Sequence, residues 1–205
     1  MKLLLENWRK FINEEVEEFA QGDAFDDFLS AHPEESLSAF RRLGADKKIL
    51  SIISKYTALP RQQTGQAWNQ IVAVLAGSKP MFYGAASSIK DWRAHDLDCY
   101  DEQARLNPTP TEVLQEENCP AIEIGKFIVD NAHKVGLTYE PVLCTSQQEC
   151  VVFGKPESVA ATVKEFNRVG SVDNADAQFH RVMGRALGYP EEDIEAFVDA
   201  LPVKK

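Results

Sequence analysis

The sequence predicts a mainly α fold, a compact helical domain carrying one small β-hairpin, with an α+β arrangement as the alternative. Three observations predict it. Apolar residues recur at helical spacing along most of the chain, glycine and proline stand where helices would stop and start, and β character is confined to two short runs around Thr145–Gln148.

"MKLLLENWRKFINEEVEEFA" opens the chain as an amphipathic helix, with Leu5, Trp8, Ile12, Val16 and Phe19 on one stripe and Glu14, Glu15, Glu17 and Glu18 outside it. "QGDAFDD" breaks the pattern, so residues 1–20 read as an arm and residues 24–205 as a single mainly helical domain. Pro33 in a first turn, followed by Glu34 and Glu35 to complement the dipole, starts a helix built on Leu37, Phe40 and Leu43 and stopped by Gly44. Asp46 caps the next, which runs through Ile49, Leu50, Ile53 and Tyr56 before Pro60 closes the region. Trp68, Ile71, Val72 and Leu75 give another, ending at Gly77.

From Ser78 to Cys119 the period fades and turn formers accumulate. The stretch reads as an irregular excursion, apart from a short helix opened by the capping box Thr109-Pro110-Thr111-Glu112. Long irregular connections often carry function, which makes it the first place to look for a site. "PAIEIGKFIVDNAHKVG" restores the helical pattern, starting at Pro120, burying Ile124, Phe127, Ile128 and Val135, and stopping at Gly136. "EPVLC" and "ECVVFG" form the hairpin, and Pro141 demands a strand start or an edge. "KPESVAATVKEFNRV" gives a helix on Val159, Val163 and Phe166. Phe179, Val182, Met183, Ala186 and Leu187 then form an apolar face that Gly188 ends, and Pro190 starts a last helix with Glu191, Glu192 and Asp193 in its first turn and Ile194, Phe197, Val198 and Leu201 inside.

Composition bounds the function. An apolar fraction of 44% and a charged fraction of 26% over 205 residues suit a folded globular chain. A net charge of -10 argues against nucleic acid, whose phosphates need a cationic footprint. The longest run of small and apolar residues, Ile71 to Ala76, is far short of the roughly 20 needed to span a bilayer, and Glu6 interrupts the leucines at the start. Neither a nucleic-acid nor a membrane partner is expected. Cys99, Cys119, Cys144 and Cys150 are too irregularly spaced for a disulfide framework or zinc ribbon, so a reducing compartment and a cytoplasmic location are expected.

Four constellations are candidates for chemistry. In "DWRAHDLDCYDE", Asp91, His95, Asp98 and Glu102 would fall on one helical stripe, where three carboxylates and an imidazole suit a divalent metal; the plainer account is a solvated acidic face. Cys144 and Cys150 flank the hairpin turn and could pair if the loop ran from Thr145 to Glu149, but two buried free thiols are expected. His133 lies near enough in sequence to draw a Cys/His nucleophile, with nothing in the spacing to support it. In the last helices, His180, Arg181 and Gly184 cluster where a glycine inside a helix invites a close neighbour. They could line a small-ligand pocket, and the plainer account is a tight helix contact. No serine-hydrolase elbow, zinc-protease, P-loop or dinucleotide signature is present.

"HRVMGRALGYPEEDIEAF" resembles a C-terminal H-R-x-x-G-x-x-L-G-Y-P module of uncharacterised microbial and bacteriophage proteins, and "MKLLLENWRKFINEE" resembles the first helix of many marine-phage and cyanophage-type reading frames. The resemblance covers about a sixth of the chain and implies a phage-associated or microbial accessory protein, located in the host cytoplasm or virion if phage-encoded, with no catalytic residues carried over. The expectation is a non-enzymatic interaction or structural protein that binds a protein partner or a second copy of itself through Leu5, Trp8, Ile12 and Val16. No cofactor is expected. The alternative is a metal-dependent enzyme using the Asp91, His95, Asp98 and Glu102 stripe.

Overall fold

The computed structural model describes residues 25–59, 66–85, 120–145 and 148–201. The fold is mostly helical with a small antiparallel sheet. Its described elements are α1 (Phe28–Ala31), α2 (Pro33–Leu43), α3 (Lys47–Thr57), α4 (Gln66–Ala76), β1 (Met81–Ala85), α5 (Pro120–Asn131), β2 (Thr138–Thr145), β3 (Gln148–Gly154), α6 (Pro156–Val169), α7 (Ala177–Leu187) and α8 (Glu191–Asp199). Short 3-10 turns at Ala132–Val135 and Val172–Asn174 join α5 to β2 and α6 to α7.

Local chemistry sets the helix ends. The Asp46 side chain accepts from the Ile49 N–H at 2.9 Å to open α3, and Asp176 accepts from Phe179 N–H at 2.9 Å to open α7. Pro33 and Pro156 occupy the first turns of α2 and α6. Gly44 and Gly188 take left-handed conformations just past α2 and α7, where an L side chain would be strained.

The hairpin is part of a three-stranded sheet in the order β1-β3-β2, antiparallel throughout. The third strand, β1, lies at the start of the stretch that reads as irregular. Its five residues, MFYGA, show no alternation because both faces are covered: Phe82 joins Val151 and Phe153 in one core, while Met81 and Tyr83 join Val152 in the other. Helices α1 to α5 supply the first core and α6 and α7 the second, so the sheet is a middle layer between two helical ones. The one-turn helix α1, immediately after the pattern-breaking QGDAFDD, also escapes the sequence reading; its Phe28 and Leu29 are buried.

The edge strand β2 is blunted. Pro141 has no N–H to offer, Glu140 is exposed, the ladder is irregular between Leu143 and Thr145, and Ser171 Oγ donates to the Cys144 carbonyl at 3.4 Å. That irregularity also corrects the expected thiols. Thr145 pairs with Gln148, and the shifted register brings Cys144 and Cys150 to a Cα separation of 5.6 Å as a disulfide. Both cysteines are fully buried and so shielded from solvent reductants, and the Tyr83 hydroxyl donates to Cys144 Sγ at 3.0 Å. A Cys144/His133 nucleophile is thereby excluded, since the sulfur is bonded and His133 is exposed.

Gly184 is explained by α8. A β-carbon there would lie 2.6 Å from Cγ1 and 3.0 Å from Cδ1 of Ile194, itself fully buried. Alanine at Gly184 gains about 1 kcal/mol of helix propensity, and overpacking of this kind costs typically about 1–3 kcal/mol. Gly184→Ala should therefore lower stability in urea denaturation, yet raise it when Ile194 is already alanine. Stabilisation by Gly184→Ala in the wild-type background would show that α8 yields freely.

Candidate functional site

The strands converge at one end of the sheet. Met81 at the start of β1 and Thr138 at the start of β2 both pair with Gly154 at the end of β3. Gly154 is required there by close approach, since a β-carbon would meet the Pro80 carbonyl oxygen at 2.6 Å and Met81 Cα at 2.8 Å. The Lys155 N–H donates to that same carbonyl at 3.3 Å. Around this junction opens a cleft of about 580 Å³, lined by the last turn of α4 (Val74 to Gly77), Lys79, the turn Val135-Gly136-Leu137, the start of α6 (Lys155 to Glu157) and Arg42. Its size falls in the range of small-molecule sites.

Three of the lining residues are cations and one is a carboxylate, against a whole-chain charge of -10. Arg42 Nη2 donates to the carbonyls of Leu75 at 2.9 Å and Ala76 at 3.3 Å, placing positive charge at the negative end of α4. Lys155, exposed, stands at the N-cap of the 14-residue α6 and makes no side-chain capping bond, unlike Asp46 and Asp176 at their helices. Gly77 and Gly136, both left-handed, leave open ground where a side chain would stand.

Lys79 ties the cleft to the core. Its ammonium donates to Gln70 Oε1 at 3.1 Å and lies 5.3 Å from the Phe25 ring centre, while Gln70 Nε2 donates to the buried Asp26 carboxylate at 3.0 Å. The neighbouring Asn69 Oδ1 accepts from Leu29 N–H at 2.8 Å, so α4 holds the start of the chain's described part by one buried and one part-buried polar contact. Burial pulls Lys79 down from 10.5 to about 8, against the opposing pull of the Asp26 charge.

The sequence-predicted His180, Arg181 and Gly184 lie elsewhere. His180 is buried, its ring edge-on to Phe179 at 5.7 Å and to Phe197 at 5.1 Å. The Arg181 guanidinium is engaged by Glu195 through two 2.7 Å bonds, and Arg185 by Glu191. Ile194 packs against the backbone of Gly184, and none of the three lines the cleft. Asp91, His95, Asp98 and Glu102, and the arm residues Leu5, Trp8, Ile12 and Val16, fall outside the described residues. Among the described residues no group of three His, Cys, Asp or Glu could hold a metal, and no helix is long and apolar enough to cross a membrane. The cleft escaped sequence reading because four separate stretches build it; the one local signal was a lysine immediately before the helix-starting Pro156.

The chain matches no protein-family model, no curated protein and no solved structure. Geometry and chemistry alone bear on function.

The Lys79 amine links stability to pH. An unfolded lysine holds its proton to about 10.5, so between pH 8 and 10.5 the unfolded chain binds more protons than the folded one, and stability rises with pH through that window. Between pH 8 and 10, wild type should gain about 2 kcal/mol relative to Lys79→Met in urea denaturation. Equal pH slopes for the two chains would show that the amine is effectively solvated.

Proposed function

We propose that this is a non-enzymatic accessory protein that works by binding, of the phage or microbial kind its end segments resemble, and that the cleft is where its partner docks. The observation that carries this reading is the cleft itself: a cavity of about 580 Å³ with three basic side chains on an acidic chain. Its walls are turns pinned by Arg42 and by the Lys155–Pro80 backbone bond, so the shape exists before any partner arrives. The apolar stripe of Leu5, Trp8, Ile12 and Val16 is the competing contact surface.

The full-length chain, immobilised and exposed to extract of its own host, separates the two surfaces. Capture of a partner by wild type should be lost in Lys155→Asp and kept in Trp8→Glu. The reverse pattern would assign docking to the arm and sink the cleft reading. Native mass spectrometry of the complex should recover the partner chemically unchanged, and its conversion to a product would overturn the non-enzymatic reading.

A further inference from the structure

We infer that the cleft is a site for a small organic anion, a carboxylate or phosphate ester with an apolar body, whose charged group lies between Arg42 and Lys155. The inference rests on the cleft being the binding place.

Two of the lining cations have fold duties. Arg42 completes the last turn of α4, and Lys79 is buried against Gln70 and Phe25. Lys155 has none of this kind. A lysine at an N-cap forgoes the capping bond that Ser, Thr, Asp or Asn would make and sets positive charge at the positive end of the helix dipole. Among the described helices α1, α2 and α8 also open without a side-chain cap, on Asp27, His32 and Pro190, whereas α3 and α7 carry capping aspartates; Lys155 differs in placing a lysine at an N-cap that lines the cavity. An anion between Arg42 and Lys155 removes that conflict, because it neutralises both cations while the walls of Val74, Val135, Leu137 and Pro156 receive its apolar part. Glu157, in the first turn of α6, sets the opposing charge and favours ligands of low charge over polyanions.

Isotope-labelled full-length protein, titrated at low salt with phenyl phosphate, benzoate, inorganic phosphate and benzyl alcohol, tests this. Phenyl phosphate and benzoate should move the amides of Gly77, Gly136, Leu137 and Glu157 and bind more tightly than inorganic phosphate; whichever binds better separates a phosphate from a carboxylate source. Lys155→Asp should weaken binding roughly tenfold or more, the scale of one lost charged hydrogen bond, while raising the melting temperature through its new cap. Glu157→Gln should tighten binding several-fold. Benzyl alcohol binding as well as benzoate, or Lys155→Asp leaving affinity unchanged, would overturn the anion assignment and leave the cleft standing as a binding place. Shifts spread over surface lysines instead of the cleft would overturn the assignment too, and silence at the cleft amides from every probe at millimolar concentrations would overturn the small-anion assignment while the capture experiment decides the docking reading.

Discussion

Cys150, Val151, Val152 and Phe153 are all fully buried, so the middle strand of this sheet has no face that water can reach. A strand of that kind is stable only when both faces are covered and both edges are hydrogen-bonded, because each buried side chain is worth about 1.5–3 kcal/mol only once water is excluded. The hairpin partner β2 satisfies one edge, and β1, separated by more than sixty residues, must supply the other. Its faces then recruit α1 to α5 on one side and α6 and α7 on the other. The layered arrangement follows from four residues that cannot tolerate solvent.

The same strand fixes the cleft. As β3 leaves the sheet at Gly154 it passes directly beneath Pro80, and Pro80 in turn lies against Gly188, where a β-carbon would stand 2.9 Å from its Cγ. Three chain segments are thus held at backbone contact distance around one proline ring and its carbonyl. The turn carrying Lys155 can move only if the β1–β3 register moves with it, which would disturb both cores.

How much of this was legible follows from the range of each signal. Helix starts and stops are local: Asp46, Pro33, Gly44 and Gly188 act within four residues of themselves, and the structure places each as the spacing predicts. The strand β1 carried no alternation because Met81, Phe82, Tyr83 and Gly84 are buried on alternate sides of a fully covered sheet, and such a run is silent in pattern. The disulfide depended on a register irregularity that sequence cannot show, and its residues had read as free thiols. His180, Arg181 and Gly184 looked like a site because they are close in sequence. Their partners, Phe197, Glu195 and Ile194, are all on α8, and only the packing of α7 on α8 reveals them.

Charge offers a sharper criterion than proximity for telling a fold residue from a site residue. Arg181, Arg185 and Arg168 each face a carboxylate at hydrogen-bond distance; Arg168 bridges Glu165 and Asp176, and its guanidinium holds the Asp176 carboxyl well below the usual range, with help from the Phe179 N–H. Most of these pairs are at least a third exposed, so they contribute little each, but their charge is accounted for inside the fold. Lys134 and Arg42 meet helix C-terminal carbonyls and are likewise explained. Lys155 answers to neither rule, since a helix N-cap repels the charge it carries. Lys47 shares that electrostatic position at the start of α3, but Lys155 is the one of the two that lines the cavity, where an anion would offset the repulsion.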